Sequence, residues 1–269
     1  MVNEELLKAV KKAKCFLLDM DGTIYVGDKL IGEMDKTLSL LRENGKKIIF
    51  LTNNSSKSKV KYEEKLRAIG LFSNKDSVYT SGIATAEYLN LHYKGKSVYL
   101  LGTDALKQEF KSMGVNLVED KTPDVCVLAY DTELTYEKLC KFVTYLKRGA
   151  YYIATHPDVN CPHPEVFVPD VGAFMKLIEE STGLTPSVII GKPYSGMGDN
   201  LMQTMNLSSD KFIMVGDRLH TDIAFGNACG FTAILVLSGE AKTTDIGKLS
   251  GKPDFVLDSL NDIVEYLKE

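Results

Sequence analysis

Short apolar runs alternate with stretches of helical periodicity along almost the whole chain. The runs "CFLLDM", "KIIFLT", "SVYTS", "SVYLLGTD", "DVCVLAYD", "AYYIATHPD", "SVIIGKP", "KFIMVGD", "TAILVL" and "DFVL" read as strands. Between them, "EMDKTLSLLRENG", "KYEEKLRAIG", "ALKQEFKSMG", "TYEKLCKFVTYLKRG" and "GAFMKLIEESTG" place apolar residues at helical spacing, and further helices are expected at both ends of the chain. Near-continuous apolar strands joined by helices predict parallel sheets covered on both faces. "IYVGDKLI" predicts a small hairpin turning at Gly27-Asp28, and the Pro-rich stretch "HPDVNCPHPEVFVPD" predicts mostly loop.

Polar residues with chemical potential sit at the ends of four strands. "FLLD" delivers Asp19, with Asp21 two positions on, and "IIFLT" delivers Thr52, followed by Asn53 and Asn54. "VIIGK" delivers Lys192, and "FIMVGD" delivers Asp217, with Asp222 opening the next helical pattern. In open parallel sheets, ligands bind outside the carboxyl ends of the strands. These residues cluster in the first ~80 positions and again from Lys192 onward, so the two ends are expected to form a core (1–80 and 184–269) with 81–183 inserted as a second α/β domain.

Four carboxylates against a single ammonium would repel one another in a partly dry cleft. A divalent cation resolves that imbalance, and an all-oxygen donor set suits Mg²⁺ better than zinc. The cation would also let an anionic nucleophile approach an anionic substrate such as a phosphoryl group.

"DMDGTIY", "LTNNSS", "GKP" and "GDRLHTDI", in this order and at these spacings, resemble the haloacid dehalogenase superfamily of phosphatases. The long insertion, with "ATHPD" inside it, and "LVLSG" near the end resemble the NagD-like, 4-nitrophenylphosphatase branch. The resemblance implies a Rossmann-like parallel-sheet core with an inserted α/β cap that shields the cleft and selects substrates. It implies a Mg²⁺-dependent phosphomonoester hydrolase acting on small metabolites such as sugar phosphates or nucleoside monophosphates. Asp19 would be the nucleophile, Asp21 the general acid and base, and Thr52 and Lys192 the phosphate holders. Asp19, the Asp21 carbonyl and Asp217 would ligate the metal, with Asp222 supporting them. Met20, Gly22, Asn53 and Asn54 fall on the phosphate side, and Asp131, His156 and Asp158 are the substrate-contact candidates of the cap. A phosphotransferase or mutase would share the same intermediate, and a phosphate-sensing module is the non-catalytic alternative.

Composition narrows the remaining classes. A net charge of −4 gives no reason to expect nucleic acid or an acidic membrane surface. No apolar stretch approaches the ~20 residues of a membrane span, and "MVNEELLKAVKKAK" lacks the apolar core of a signal peptide. Five scattered cysteines without a C-x-x-C pair argue for a reducing cytoplasm. "SGMGDN" lacks the third glycine of a dinucleotide fingerprint, and "DMDGTIYVGDKL" has Leu30 where a calcium loop needs glutamate. A zinc site from His156, Asp158, Cys161 and His163 is disfavoured, because the prolines around them make a rigid loop the simpler reading. A small phosphate ester is the expected partner, and a homodimer is compatible with this reading.

Overall fold

The computed structural model describes residues 3–162 and 166–268. His163 therefore lies outside the described residues. The chain divides into two compact units. The first comprises Met1–Thr52, Val60–Tyr79 and Lys192–Glu269, and the second Asn53–Lys59 and Thr80–Gly191.

In the first unit, α1 (Glu4–Lys12) starts where the Asn3 side chain accepts the Glu5 and Leu6 amides, and acids at its start and lysines at its end suit the helix dipole. It leads into β1 (Cys15–Leu18), the hairpin β2 (Tyr25–Val26) and β3 (Lys29–Leu30), α2 (Met34–Glu43), β4 (Lys47–Thr52), α3 (Lys59–Ala68) and β5 (Ser77–Thr80). Only the first residue of α3 and the last of β5 fall to the second unit.

The second unit continues through α4 (Ser81–His92), β6 (Ser97–Leu101), α5 (Asp104–Ser112), β7 (Asn116–Leu117), β8 (Val125–Leu128), α6 (Tyr136–Lys147) and β9 (Tyr151–Ala154). β10 (Asn160–Pro162), β11 (Phe167–Pro169), α7 (Val171–Thr182) and β12 (Val188–Ile189) complete it. The chain returns to the first unit for α8 (Gly196–Met205), β13 (Phe212–Gly216), one π-helical turn (Leu219–Ile223), α9 (Ala224–Cys229), β14 (Thr232–Val236) and β15 (Phe255–Leu257). The last helix, Leu260–Tyr266, is of the 3₁₀ kind.

The first unit's sheet runs β15-β14-β13-β1-β4-β5, with β1 parallel to both β13 and β4. Alternate residues of its strands (Phe16, Leu18, Ile48, Phe50, Ile213, Val215, Ile234, Val236) join one core with Leu6, Val10, Leu38, Leu41 and Leu66 from the helices. Ala233 and Leu235 pack the opposite face with Leu219 and Ile223. Burial on both faces explains why these strands read as unbroken apolar runs. From β1 the chain moves outward to β4 and β5 and later fills the other side with β13, β14 and β15. The carboxyl ends of β1 and β13 thus flank the point where strand order reverses.

The second unit's sheet runs β12-β9-β8-β6-β7 in parallel pairs. The unit boundary at the return lies later than the expected 183/184, because β12 pairs with β9 and the Ile190 and Gly191 amides extend that pairing to Ala154 and Thr155. Asn53–Lys59 also belongs here. The Ser55 hydroxyl takes the Tyr130 amide (2.9 Å) and meets Thr155 (3.1 Å), while Thr103 donates to the Ser56 carbonyl (3.0 Å). Within the Pro-rich stretch, expected to be mostly loop, β10 and β11 form a short antiparallel pair. Prolines fit there because two short strands leave amides that need no partner. Among the described residues, no helix is long and apolar enough to cross a membrane.

Candidate active site

Asp19 follows the last residue of β1, and its amide still donates to Val215 of β13 (3.0 Å). Its carboxylate, 17% exposed, receives the Lys192 ammonium at 2.6 Å. The same ammonium lies 2.7 Å from Asp222, whose other oxygen accepts the Arg218 amide at 3.1 Å. Asp222 sits in the π-helical turn after β13, pressed so closely on Gly216 that a Cβ there would fall 2.3 Å from the Asp222 Cβ. One buried lysine therefore ties the β1 end to the turn that follows β13.

Asp217, the residue after β13, is 3% exposed. Its Oδ2 accepts the Glu240 amide at 2.7 Å, and its Oδ1 lies 3.5 Å from the Thr23 hydroxyl. Asp21 stands exposed on the tight turn after β1, which closes through the Gly22 amide donating to Tyr25 (2.8 Å). Gly22 has φ +86°, which a side chain would resist, and a Cβ there would meet Asp217 Oδ2 at 2.4 Å. The Met20 side chain belongs to the core, so only its backbone is left to the site. Thr52 ends β4, half-buried.

Burial, reinforced by the negative charges of Asp222 and Asp217 against the attraction of Lys192, pushes the Asp19 carboxyl up to about 8. Burial and then Asp222 push Asp217 up to about 6. Burial works against the Lys192 charge, but Asp19 and Asp222 outweigh it and raise its pKa above the ordinary value. The cluster is short of positive charge. Asp19, Asp217 and Asp222 each offer an oxygen within 4.8 Å of the others. Asp222 already spends one oxygen on Lys192 and the other on the Arg218 amide, so Asp19 and Asp217 are the better ligands for a cation. Hard carboxylate donors in an electron-rich pocket fit a divalent ion of the Mg²⁺ kind. The Asp21 carboxylate is not one of that group of three.

The remaining sequence candidates lie in the second unit. Asn53 donates to both oxygens of Asp158 (3.1 and 3.2 Å). Asn54 Oδ1 accepts the Ser56 amide (2.9 Å) and hydroxyl (2.8 Å), an Asx turn. The Asp131 carboxylate is wholly buried, accepting the Glu133 amide (2.8 Å) and the Lys138 ammonium (2.9 Å). His156 is fully buried, with Nδ1 3.6 Å from Asp158 and Nε2 3.6 Å from Asp170. His156, Asp158 and Asp170 each offer a ligand atom within 4.8 Å of the others. Asp170 caps α7 through the Val171 amide (2.7 Å) and is pushed up to about 7 by burial.

Sequence reasoning passed over Asp170, Thr23, Arg218 and the Ser238–Ala241 turn. The sole signal was the pair Ser238-Gly239 in "LVLSG" after a strand, where small residues permit close approach to a neighbouring strand end.

A parallel sheet thus gathers three carboxylates around one buried lysine at its switch point, the place where open parallel sheets bind ligands. Sequence comparison takes this further. The family profile described as haloacid dehalogenase-like hydrolase matches residues 16–116, and a second profile of HAD-like hydrolases matches 189–263. An acid sugar phosphatase of Staphylococcus saprophyticus is 32% identical over 260 residues, covering 97% of this chain and all of the relative. The crystal structure of a 4-nitrophenylphosphatase from Thermotoga maritima superposes with a TM-score of 0.90 at 41% identity, covering 96% of this chain and 98% of that one. A p-nitrophenyl phosphatase from Archaeoglobus fulgidus gives 0.87 at 30% identity, covering 94% and 98%. The chain belongs to the haloacid dehalogenase-like hydrolases, in their NagD-like phosphatase branch.

Proposed function

We propose that this enzyme hydrolyses small phosphate monoesters, sugar phosphates among them, with Mg²⁺ and through a phosphorylated Asp19. The observation that carries this reading is the Lys192 ammonium set between Asp19 and Asp222, beside a third buried acid, Asp217. An acid held in such a place has the fixed geometry a nucleophile needs, with the Lys192 ammonium beside it for the phosphoryl oxygens. The names of the relatives, an acid sugar phosphatase and two nitrophenyl phosphatases, support the ester class.

Asp19 attacks phosphorus, and the phosphorus–oxygen bond to the leaving group breaks as Asp21 gives that oxygen a proton. Asp21 suits this role because it stands exposed on the turn, two residues past the nucleophile. Asp21, now ionised, then takes a proton from the water that attacks phosphorus and frees Asp19 with inorganic phosphate. Lys192 and the Thr52 hydroxyl hold the phosphoryl oxygens, and Asp222 keeps the ammonium aimed at Asp19. Asp19, the Asp21 carbonyl and Asp217 would hold the cation, which supplies charge that keeps Asp19 ionised and screens it from the phosphate.

Release of inorganic phosphate from p-nitrophenyl phosphate and a panel of sugar phosphates tests the reading. Turnover should require Mg²⁺, stop in EDTA and vanish in Asp19→Asn. A folded, Mg²⁺-loaded protein with no turnover on any ester of the panel would refute it.

A further inference from the structure

We infer that the turn after β14, Ser238-Gly239-Glu240-Ala241, is a positioning element that sets the Asp217 carboxylate for the divalent cation, with the Glu240–Arg218 ion pair as its clip. The inference rests on the cation site proposed above and concerns residues given no part in the chemistry.

The turn grips Asp217 at both ends. The Glu240 amide donates to Asp217 Oδ2 (2.7 Å), and the Ala241 amide donates to the Asp217 backbone carbonyl (3.1 Å). Between them, Gly239 lies against the carboxylate, where an added Cβ would fall 2.0 Å from Oδ2 and 2.5 Å from Cγ. Gly239 is not in the left-handed region, so the requirement is for space and not for backbone freedom. Gly22 lies against the same oxygen, its hypothetical Cβ 2.4 Å from Oδ2 and 3.1 Å from the Gly239 Cα. The Ser238 hydroxyl then joins the two segments by donating to the Gly22 carbonyl (2.7 Å). Two glycine backbones thus pack against Asp217 Oδ2. That oxygen is committed to an amide, and Oδ1 is the oxygen offered to a cation.

Glu240 also faces Arg218, with Nε 3.0 Å from Oε2. The pair is 26% and 53% exposed, and pairs of that kind add little to stability. Its placement matters more. The Arg218 amide holds Asp222 (3.1 Å) and the Glu240 amide holds Asp217 (2.7 Å), so one ion pair joins the holders of both acids. Arg218 also neutralises a glutamate that would otherwise add a further negative charge beside the cluster.

Calorimetric titration of Mg²⁺ into EDTA-treated, desalted full-length protein tests this, alongside the Mg²⁺ activation curve with p-nitrophenyl phosphate. Gly239→Ala should weaken Mg²⁺ binding at least tenfold and raise the activation constant in parallel. KM for the ester at saturating Mg²⁺ should stay within twofold, and melting in EDTA should drop modestly, because the added methyl overlaps a buried carboxylate. Glu240→Ala should weaken Mg²⁺ binding threefold or more, with Glu240→Gln recovering most of it; this pair keeps the test open if Gly239→Ala does not fold. Wild-type Mg²⁺ affinity in folded Gly239→Ala, or in Glu240→Ala, overturns the inference. A wild-type protein that binds no Mg²⁺ overturns instead the cation site on which it rests.

Discussion

The Lys192 ammonium lies 2.6 Å from the Asp19 carboxylate, across 173 positions of sequence. Lys192 is 3% exposed and the Asp19 carboxylate 17%. The environment of Asp19 is therefore set by a residue that enters the first unit only after the whole second unit has been traversed.

Removing Lys192 leaves Asp19 and Asp222 facing one another without their cation. Lys192→Met should destabilise the metal-free protein by about 3–5 kcal/mol at pH 8, the usual penalty for stranding a buried charge. Adding Asp222→Asn should return part of that loss, on the order of 1–2 kcal/mol. Urea denaturation in EDTA measures both, and equal stability of the two variants would contradict the coupling.

At the proposed cation site, protons and Mg²⁺ would compete for the same carboxylates. Asp19 is pushed up to about 8 and Asp217 to about 6, so the native metal-free protein holds protons that the unfolded chain releases above about pH 4. Their contribution to stability is full below about pH 4 and is lost as pH rises through 6 and 8. The increase in Tm on adding Mg²⁺ should accordingly be larger at about pH 8 than at about pH 5.5. A shift independent of pH would place the cation elsewhere.

Asp21 should matter most where the leaving group is poor. Asp21→Asn is expected to slow hydrolysis of alkyl esters such as sugar phosphates by roughly 10²–10⁴-fold. p-Nitrophenyl phosphate, whose nitrophenolate departs without a proton, should lose much less in the first step. Single-turnover formation of nitrophenol separates that step from hydrolysis of the intermediate.

Gly22 combines a left-handed backbone with contact on Asp217. Gly22→Ala should lose about 1–2 kcal/mol from backbone strain alone, and Mg²⁺ binding should fall as the added methyl displaces the carboxylate. Thermal unfolding with and without Mg²⁺ checks both, since strain lowers both curves and displacement narrows the gap between them.

Much of this architecture was legible before any coordinates. "KIIFLT" forms β4 residue for residue, and the hairpin at Gly27-Asp28 is present, because buried parallel strands and glycine turns leave plain local signatures. The division of the chain was less legible. "SVIIGKP" looks like any buried strand, and nothing local says that β12 pairs with β9 while Lys192, three residues on, belongs with Asp19. The β10–β11 pair was hidden by prolines, which usually mark loops but are tolerated at sheet edges. At the site, the acids stood out because carboxylates at strand ends are conspicuous. The Glu240 and Ala241 amides that hold Asp217 were invisible, since every residue but proline carries one.

The sheet order also sets a timetable for synthesis. β1 is made early, but its neighbour β13 arrives nearly two hundred residues later, with Phe16 aligned to Ile213. All five strands of the other sheet, β6 to β9 and β12, lie within that interval. On the ribosome the second unit's sheet is complete in sequence while β1 still lacks one flank, and the long wait is the kind of non-local pairing that slows folding. The nascent chain must therefore shelter one open edge of an apolar strand, tipped with Asp19, until about the last fifth of the polypeptide emerges.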